Sequence, residues 1–207
     1  MKALVLCEAS GIWSRELYRR GYDVLQVDLC MPGVKLGERV ESVPEFVRYC
    51  GDVRSVSGVG FDVVCAFPPC TDLACSGALH WAAKALRGDV LSALALLTYC
   101  AAIAAAAPFG LVENPMGLAS RVLGKASRVV QPWQFATSAE EHVQKRTNLW
   151  LTGWPWVPGY TGAINRPCSF IDRLPPAADR SAVRSRSWVG MASAFVACLP
   201  KGGRDGF

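Results

Sequence analysis

Short apolar runs alternate with helix-like segments along the first half of the chain. The run at residues 61–67 (FDVVCAF) is typical of a buried strand, because apolar side chains fill nearly every position. Gly21 is placed to end a helix predicted at residues 13–21, and Asp89 to begin a long Ala-rich helix as its N-cap. Further strands are predicted at residues 2–7, 22–29, 48–55 and 109–114. Strands separated by helices predict an α/β fold, with helices on both faces of a mostly parallel central sheet.

The amino-acid composition of the chain changes after Gln131. Residues 148–167 (NLWLTGWPWVPGYTGAINRP) are dense in Trp, Pro and Gly, and they predict short strands or a hairpin with loops. An Arg-rich stretch follows, and residues 190–199 predict a last helix. No repeat or low-complexity linker interrupts the 207 residues, so we expect a single domain. Its core would cover residues 1–130, and residues 131–207 would form a short Trp/Pro/Arg-rich region with a closing helix.

The Ala-rich segment at residues 90–107 carries no charge and is nearly long enough to span a membrane. Alanine contributes little to membrane insertion, and another strand-like run follows directly. We therefore expect a helix packed on the sheet, and no membrane association.

Charge and cysteine content narrow the class of protein only a little. The formal net charge of +5 is compatible with an anionic partner such as nucleic acid but does not identify one. The nine cysteines include no Cys-x-x-Cys pair, and several stand inside apolar runs. This pattern argues against a disulfide framework and against a zinc or other metal site, and it predicts free thiols in a reducing, cytoplasmic compartment.

Polar residues follow the predicted strands at the ends where they leave the sheet. In parallel α/β sheets, ligands bind at the carboxyl ends of the strands. Read in order, these ends carry residues 7–11 (CEASG), Asp28, Asp52, residues 68–70 (PPC) and residues 113–115 (ENP). The sequence therefore predicts a site along one edge of the sheet.

Cys70 and Glu113 are the two residues at this edge whose side chains are best suited to catalysis. Two prolines end the strand before Cys70, because proline cannot donate to the ladder, and so the thiol is presented at the edge. Cys70 is either a small core residue or a nucleophile; Thr71 and Asp72 would begin the next helix, and Asp72 would oppose thiolate formation. Glu113 is either a solvated surface carboxylate or a group that binds a ring nitrogen and an amino group of a base.

Four motifs in order resemble the cytosine carbon-5 DNA methyltransferases. They are FPPC (67–70), VENP (112–115), HVQKRTNLW (142–150) and SWVGMASAFV (187–196). In that family, Pro-Pro-Cys follows the fourth strand, Glu-Asn the fifth, and a Gln-x-Arg-x-Arg motif and a cofactor-closing helix come later. The combination is most similar to short phage-encoded methylase-like proteins that lack a full target-recognition domain. The resemblance implies a Rossmann-like S-adenosylmethionine-dependent methyltransferase fold.

The resemblance also implies roles for residues around a target base. Cys70 would be the nucleophile that adds to carbon-6 of cytosine, and Glu113 would hold and protonate the ring nitrogen. Arg146 would steady the base carbonyl or a phosphate. The other residues implied at the substrate are Pro69, Asn114, Gln144 and Arg186.

A second set of residues is implied at the cofactor, S-adenosylmethionine. Asp28 would accept hydrogen bonds from the ribose hydroxyls and Asp52 from the adenine amino group, and Trp13 or Leu29 would flank the adenine ring. Without the resemblance, the two aspartates read equally well as ordinary strand-end caps. The remaining residues implied at the cofactor are Glu8, Ser10, Gly11 and Pro68.

Three departures from the family pattern bear on the substrate. Gly11 alone remains of the glycine-rich cofactor loop, Asn148 replaces the second arginine, and residues 151–184 are too few for a target-recognition domain. A loop rich in Trp and Tyr suits base stacking, and arginines nearby suit phosphate contacts. These arginines are Arg166, Arg173, Arg180, Arg184 and Arg186.

We therefore expect DNA as the partner, read at a short or loose site, in single-stranded or locally opened form, or with the help of a targeting partner. No obligate protein partner is evident from the sequence. A free cytidine nucleotide, another electrophile on the same scaffold, and a non-catalytic nucleic-acid-binding descendant are the alternatives.

Overall fold

One mixed β-sheet forms the centre of the computed structural model, which describes residues 1–42, 46–160, 167 and 186–203. Its strands within these residues are β1 Lys2–Leu6, β2 Asp23–Asp28, β3 Arg39–Ser42, β4 Phe46–Cys50, β5 Val63–Ala66, β6 Phe109–Pro115, β7 Arg128–Val130 and β8 Thr147–Thr152. The order across the sheet is β3-β4-β2-β1-β5-β6-β8-β7.

Five neighbouring strands, from β4 to β6, are parallel. At one edge β3 pairs antiparallel with β4, and at the other β8 lies antiparallel between β6 and β7. The predicted mostly parallel α/β sheet is therefore confirmed, in a form compatible with a Rossmann-like fold. The chain moves to opposite sides of β1 to build β2 and β5, so the order reverses between β1 and β5. Open α/β sheets bind ligands at this kind of crevice.

Helices cover both faces of the sheet, as predicted. They are α1 Ile12–Arg19, α2 Trp81–Leu86, α3 Asp89–Ala106, α4 Ala119–Leu123 and α5 Val189–Val196. Side chains alternate along β1, so that Ala3 and Val5 join a core cluster with α1 and α5, whereas Leu4 and Leu6 join a second cluster with α3. The guanidinium of Arg20, at the end of α1, donates to the carbonyl oxygen of Leu199 at 2.6 and 3.1 Å. This contact attaches the segment that follows the last helix to the end of α1.

Two predicted helix starts were wrong. Gly88, with φ 83°, is the N-cap of α3, whereas Asp89 stands in the first turn and pairs with Arg87 at 2.8 Å. Glycine takes the left-handed conformation that this junction needs without strain. The helix expected from Thr71 begins instead at Trp81, after a turn and the short 3₁₀ segment Cys75–His80. The helix end at Gly21 is confirmed, because Gly21 follows the C-cap Arg20 with φ 96°.

The sheet also differs from the prediction near its edges. The third parallel strand is β4, which ends at Cys50, so Asp52 lies beyond the strand. β3, β7 and the antiparallel insertion of β8 beside β6 were not predicted. These short strands have no strong apolar period because they occupy or adjoin sheet edges.

The long helix α3 packs Val90, Leu97, Cys100 and Ala104 inward, onto the face that carries β5 and β6. Its 18 residues have a mean hydropathy of 1.8, and 22% of them are buried. Within the described chain it is the one helix long and apolar enough to cross a membrane. The packing agrees with the helix-on-sheet expectation.

Candidate active site

The loops that follow β5 and β6 are joined by hydrogen bonds. The side-chain amide of Asn114, fully buried, donates to the carbonyl oxygen of Pro68 at 2.9 Å. The backbone N–H of Cys75 donates to the carbonyl of Met116 at 2.8 Å. These contacts bring the segment that contains Cys70 beside the segment that follows Glu113.

A glycine allows this close approach. A Cβ on Gly117 would lie 1.9 Å from the carbonyl oxygen of Leu73, so no other residue fits there without movement of the backbone. Gly117 also forms a β-bridge with Ala74. The two loops thus form one rigid rim at the carboxyl ends of neighbouring strands.

Cys70 is half-buried, next to the exposed Pro69 and the buried Pro68. Its carbonyl oxygen accepts from the backbone N–H groups of Leu73 and Ala74 at 3.0 and 2.8 Å, which turns the chain sharply. The thiol is therefore not sealed in hydrocarbon.

Other cysteines differ from Cys70. Cys65 is fully buried in β5, and burial raises the pKa of its thiol. A hydrogen bond with Cys100 raises the pKa of the Cys7 thiol, and burial raises it further. These thiols resist ionisation and fit the role of core residues.

The negative charge expected to oppose a Cys70 thiolate is compensated. Asp72 pairs with Lys84, with 2.7 Å between Oδ1 and Nζ, and Lys84 also donates to the carbonyl oxygen of Thr71 at 2.8 Å. The lysine places a positive charge on the loop that follows Cys70.

Glu113 lies in β6, and 13% of its side chain is exposed. Alternation along the strand gives it the same face as Leu111, which pairs with Cys65 of β5. Lys145 stands next to it, with Nζ 3.8 Å from Oε1 of Glu113 and a side chain that is also 13% exposed. A shielded carboxylate and ammonium therefore stand together at the rim.

The sequence analysis did not single out Lys145, and the role that the resemblance implies for Arg146 stays a prediction. Arg146 is exposed, and its backbone carbonyl accepts from Met116 N–H at 3.4 Å. Gln144 is 4% exposed, and its side-chain amide donates to the carbonyl of Pro167. No local pattern marks Lys145, because its position beside Glu113 depends on the register of β8 against β6.

Two further residues of this region are held by local contacts. Asn148, at the second arginine position of the family motif, is 5% exposed and donates to Ser120 Oγ at 3.1 Å. Arg186 is exposed and pairs with Glu140 at 2.9 Å. Neither contact joins the residue to Cys70 or Glu113. Arg166, Arg173, Arg180 and Arg184 lie outside the described residues.

The loop after β1 contains a buried carboxylate. Glu8 is 3% exposed, and its Oε1 accepts from the backbone N–H of Ser10 at 3.1 Å and from the Ser10 hydroxyl. Burial raises the pKa of the Glu8 carboxyl, and the Ser10 hydrogen bonds oppose this rise. Gly11, with φ 74°, is the N-cap of α1, and Cys7, with φ 58°, is the one non-glycine residue in the described chain with positive φ. Such strained turns concentrate at functional sites.

Several buried polar atoms around this loop have no hydrogen-bond partner in the described part of the chain. They are Oε2 of Glu8, Oε1 of Gln26, Oγ of Ser14 and Nε1 of Trp13. Gln26, in β2, donates its amide to the carbonyl of Glu8, and this residue was missed by the sequence analysis. Two unpartnered acceptors suit a ligand group that carries N–H or O–H donors, such as an ammonium.

Asp28 and Leu29 are accessible at the end of β2. Asp28 is half-buried, and burial raises the pKa of its carboxyl, while Oδ1 accepts from Cys30 N–H at 2.7 Å. Leu29 is 55% exposed, whereas Trp13 is fully buried and stacks at a tilt on Phe67 with 5.0 Å between ring centroids. Trp13 therefore presents no face to a ligand, and Leu29 alone of the pair has an open surface.

Asp52 caps the short 3₁₀ turn Val53–Ser55, and it accepts from Arg54 N–H at 2.9 Å. Its carboxylate also pairs with the Arg54 guanidinium at 2.6 Å, and this hydrogen bond lowers its pKa. To bind an adenine amino group, Asp52 would exchange a surface ion pair, and exposed ion pairs contribute little to stability.

Metal ligands do not cluster in the part of the chain that the structure describes. No group of three or more His, Cys, Asp or Glu side chains suited to a metal occurs in residues 1–42, 46–160, 167 and 186–203. Comparison with protein-family models finds no match, and comparison with curated proteins finds none either.

Proposed function

We propose that this chain is an S-adenosylmethionine-dependent methyltransferase that modifies carbon-5 of cytosine in DNA. One observation carries the proposal. Half-buried Cys70 lies in the loop after β5, and the shielded carboxylate of Glu113 lies near the carboxyl end of the adjacent parallel strand β6. Hydrogen bonds join the segments that follow these two strands.

The strand order supports a nucleoside-containing cofactor. Counted among themselves in chain order, the five parallel strands run 3-2-1-4-5 across the sheet, as in dinucleotide-binding Rossmann folds. The proposed catalytic loops lie beside the point at which this order reverses. A finer assignment, to a Rossmann-like methyltransferase fold, belongs to this proposal.

The first chemical step uses Cys70. Carbon-5 of cytosine is a poor nucleophile, and addition of the Cys70 thiolate to carbon-6 converts the ring into an enamine. Lys84, near the carbonyl of Thr71, helps to offset the negative charge of the loop around this thiolate. After methyl transfer, a water molecule accepts the carbon-5 proton, the C–H electron pair forms the ring double bond as the carbon-6–sulfur bond breaks, and the Cys70 thiolate leaves.

Glu113 and Lys145 would hold the opposite edge of the base. A carboxylic acid matches the cytosine edge, because its O–H donates to ring nitrogen 3 while its carbonyl oxygen accepts from the amino group. One proton must be taken up, since Glu113 is ion-paired with Lys145 in the free protein. Addition of the thiolate moves negative charge toward ring nitrogen 3 and the base carbonyl, and the Lys145 ammonium would stabilise it there.

The residues at the ends of β1 and β2 fit S-adenosylmethionine. The unpartnered acceptors of Glu8 and Gln26 suit its ammonium group, Asp28 its ribose hydroxyls, and the exposed Leu29 its adenine ring. When bound, the cofactor supplies an electrophilic methyl group. Ser10 and Gly11 shape the loop, and Asp52 would bind the adenine amino group after releasing Arg54.

The test uses DNA that contains 5-fluoro-2′-deoxycytidine, because fluorine at carbon-5 prevents the proton loss that releases the enzyme. With S-adenosylmethionine present, the wild type should form a complex stable to denaturing electrophoresis. Cys70→Ala should form none. Cys75→Ala is the matched control, since Cys75 is an exposed thiol nearby on the same loop. A wild type without adduct, or an adduct that survives Cys70→Ala, would refute the proposal.

The glycine-poor loop and the buried Glu8 favour one alternative, a nucleic-acid-binding descendant that no longer binds the cofactor. Isothermal calorimetry with S-adenosylmethionine separates the two functions, because the descendant gives no heat of binding. Comparing deoxycytidine monophosphate, single-stranded DNA and duplex DNA as methyl acceptors tests the substrate. Transfer to the free nucleotide alone would replace DNA with a nucleotide in the proposal.

A further inference from the structure

The surface formed by α4 and β7 carries positive charge without any carboxylate. Residues 114–139 contain Arg121, Lys125 and Arg128 but no Asp or Glu. All three basic side chains are exposed. We refer to these three residues as the α4–β7 basic surface.

Four arginines elsewhere on the described surface are paired with carboxylates. Their pairs are Arg19–Glu16 at 2.7 Å, Arg54–Asp52 at 2.6 Å, Arg87–Asp89 at 2.8 Å and Arg186–Glu140 at 2.9 Å. No member of the α4–β7 basic surface forms an ion pair with a residue in the described ranges. No ion pair within the described residues therefore neutralises the positive charge of this surface.

This basic surface is fixed along β8 by specific contacts. The Trp150 indole N–H donates to the carbonyl of Gly124 at 3.1 Å, and the backbone N–H of Leu151 donates to Ser127 Oγ at 3.0 Å. Arg128 stands opposite Leu149 in the β7–β8 ladder. The three cations therefore have a rigid support at the edge of the sheet.

The same strand connects this surface with the candidate active site. β8 runs antiparallel to β6, so its first residues lie at the carboxyl end of β6, where Glu113 is found. Arg146, exposed and without an ion pair among the described residues, immediately precedes β8. Two exposed cations, Arg128, which is level with Glu113 in the ladder, and Arg146, which stands just before β8, therefore lie along a path from the edge strand to the rim that holds Glu113 and Lys145.

Aromatic side chains stand beside this path. Tyr160 is 46% exposed and contacts Trp133 edge-on, with ring centroids 5.2 Å apart, and Trp133 follows shortly after β7. Basic side chains combined with exposed aromatic rings are typical of surfaces that bind single-stranded nucleic acid. Neither α4 nor β7 exceeds five residues, so neither provides an element long enough to read a duplex groove.

We propose that Arg121, Lys125, Arg128 and Arg146 bind the phosphates of a single DNA strand and lead it to the rim. The binding rests on surface charge alone. The direction of the strand, toward Cys70 and Glu113, rests on the proposed function.

Binding is measured by fluorescence anisotropy with a fluorescein-labelled 20-nucleotide oligothymidine, without cofactor. The test variant is Arg121→Gln/Lys125→Gln/Arg128→Gln. The control, Arg19→Gln/Arg87→Gln/Lys201→Gln, removes the same three charges from other surfaces. The test variant should bind at least about tenfold more weakly, and its plot of log K against log salt should be shallower by about 2, since each single-strand phosphate contact contributes roughly 0.7. The control should bind within about twofold of wild type, because counterion release is local.

A charge-conserving variant, Arg121→Lys/Lys125→Arg/Arg128→Lys, should retain binding of the oligonucleotide. Retained binding shows that substitution at these three positions does not by itself unfold the protein, so the weaker binding of the test variant reflects its lost charge. Equal losses in the two charge-removing variants, or a wild type that does not bind at low salt, would overturn the proposal. Tighter binding of a duplex than of the single strand would overturn the single-strand assignment. Competition by polyglutamate as effective as competition by DNA would indicate an acidic protein partner instead.

The outcomes for the two proposals are distinguishable. A wild type that binds the oligonucleotide but forms no fluorocytosine adduct refutes methyl transfer and leaves this surface intact. A wild type that forms the adduct while the test variant binds normally refutes this surface and leaves the chemistry.

Discussion

Replacing Glu141 with alanine should destabilise the protein far more than the same change at its neighbour Glu140. Glu141 is 4% exposed and accepts three hydrogen bonds: from the Thr137 backbone N–H at 2.8 Å, from the Thr137 hydroxyl at 2.9 Å, and from Gly190 N–H at 3.0 Å. Gly190 is in the first turn of α5, so the carboxylate stabilises the start of the last helix. Close packing of Gly190 against the carbonyl oxygen of Phe135 limits any rearrangement.

The magnitude follows from the donors that lose their partner. Each buried donor without a partner costs about 1–3 kcal/mol. Three donors lose their partner here, and water that enters the site offsets part of the total. We expect Glu141→Ala to lower the free energy of unfolding by about 3 kcal/mol, or roughly 6–12 °C in Tm for a chain of this size. Glu140 has 70% of its side chain exposed and forms one ion pair, so Glu140→Ala should cost less than about 1 kcal/mol.

Urea denaturation at pH 7 and pH 3 measures the effect and its cause. Burial acts to raise the pKa of the Glu141 carboxyl, but hydrogen bonds from Thr137, Gly190 and Val189 outweigh it and leave the pKa below its ordinary value. The stabilisation is therefore complete above the unfolded pKa of about 4.3 and is lost as pH falls through the folded value. The difference between wild type and Glu141→Ala should shrink at pH 3. Equal costs for the two alanine variants at pH 7, or a difference independent of pH, would refute the reasoning.

Three further changes test the site. Gly117→Ala should lower the free energy of unfolding by more than about 2 kcal/mol and reduce the fluorocytosine adduct, because its Cβ would lie 1.9 Å from a carbonyl oxygen of the neighbouring loop. Gly159→Ala is the control and should be nearly neutral, since no atom lies within 4 Å of the added Cβ. Lys145→Met should slow adduct formation about a hundredfold, with partial rescue by Lys145→Arg. Arg146→Met should mainly weaken DNA binding. Equal effects of the two methionine variants on the rate of adduct formation would contradict the placement of Lys145 at the base. Glu8→Gln should raise the Tm of the cofactor-free protein at pH 7.5, since burial raises the pKa of Glu8 and its ionisation opposes folding above the unfolded pKa. The gain should vanish near pH 4, and calorimetry should show weaker binding of S-adenosylmethionine; a lower Tm at pH 7.5 would contradict this account.

Local sequence signals predicted the central strands well. The apolar run before Pro68 could satisfy its backbone only inside a sheet, and the two prolines had to end it, so the position of Cys70 at a strand end followed from the covalent chemistry of proline. The edge strand β3 and the start of α3 were not predicted well, because edge residues lack an apolar period and Gly88 acts through its backbone rather than through a side chain.

The cofactor residues show a different limit. Asp28 and Leu29 lie at an accessible strand end, but the sequence could not reveal that Trp13 is fully buried beside Phe67. An amphipathic aromatic ring is equally compatible with a core and with a ligand site, and the decision depends on which helices cover it. The roles assigned to these residues stay predictions.

By itself, the sequence determined the parallel strands, the edge at which their polar residues gather, and the order of motifs along that edge, because these features depend on residues close together in the chain. Only the tertiary structure decided that Lys145 lies beside Glu113, that Glu141 holds the last helix, and that Arg128 stands level with Glu113 across β8. Each of these depends on the register of β8 against its neighbours or on packing between distant segments. The energy of such contacts is set by distance and burial in the folded chain, and a linear pattern does not contain either.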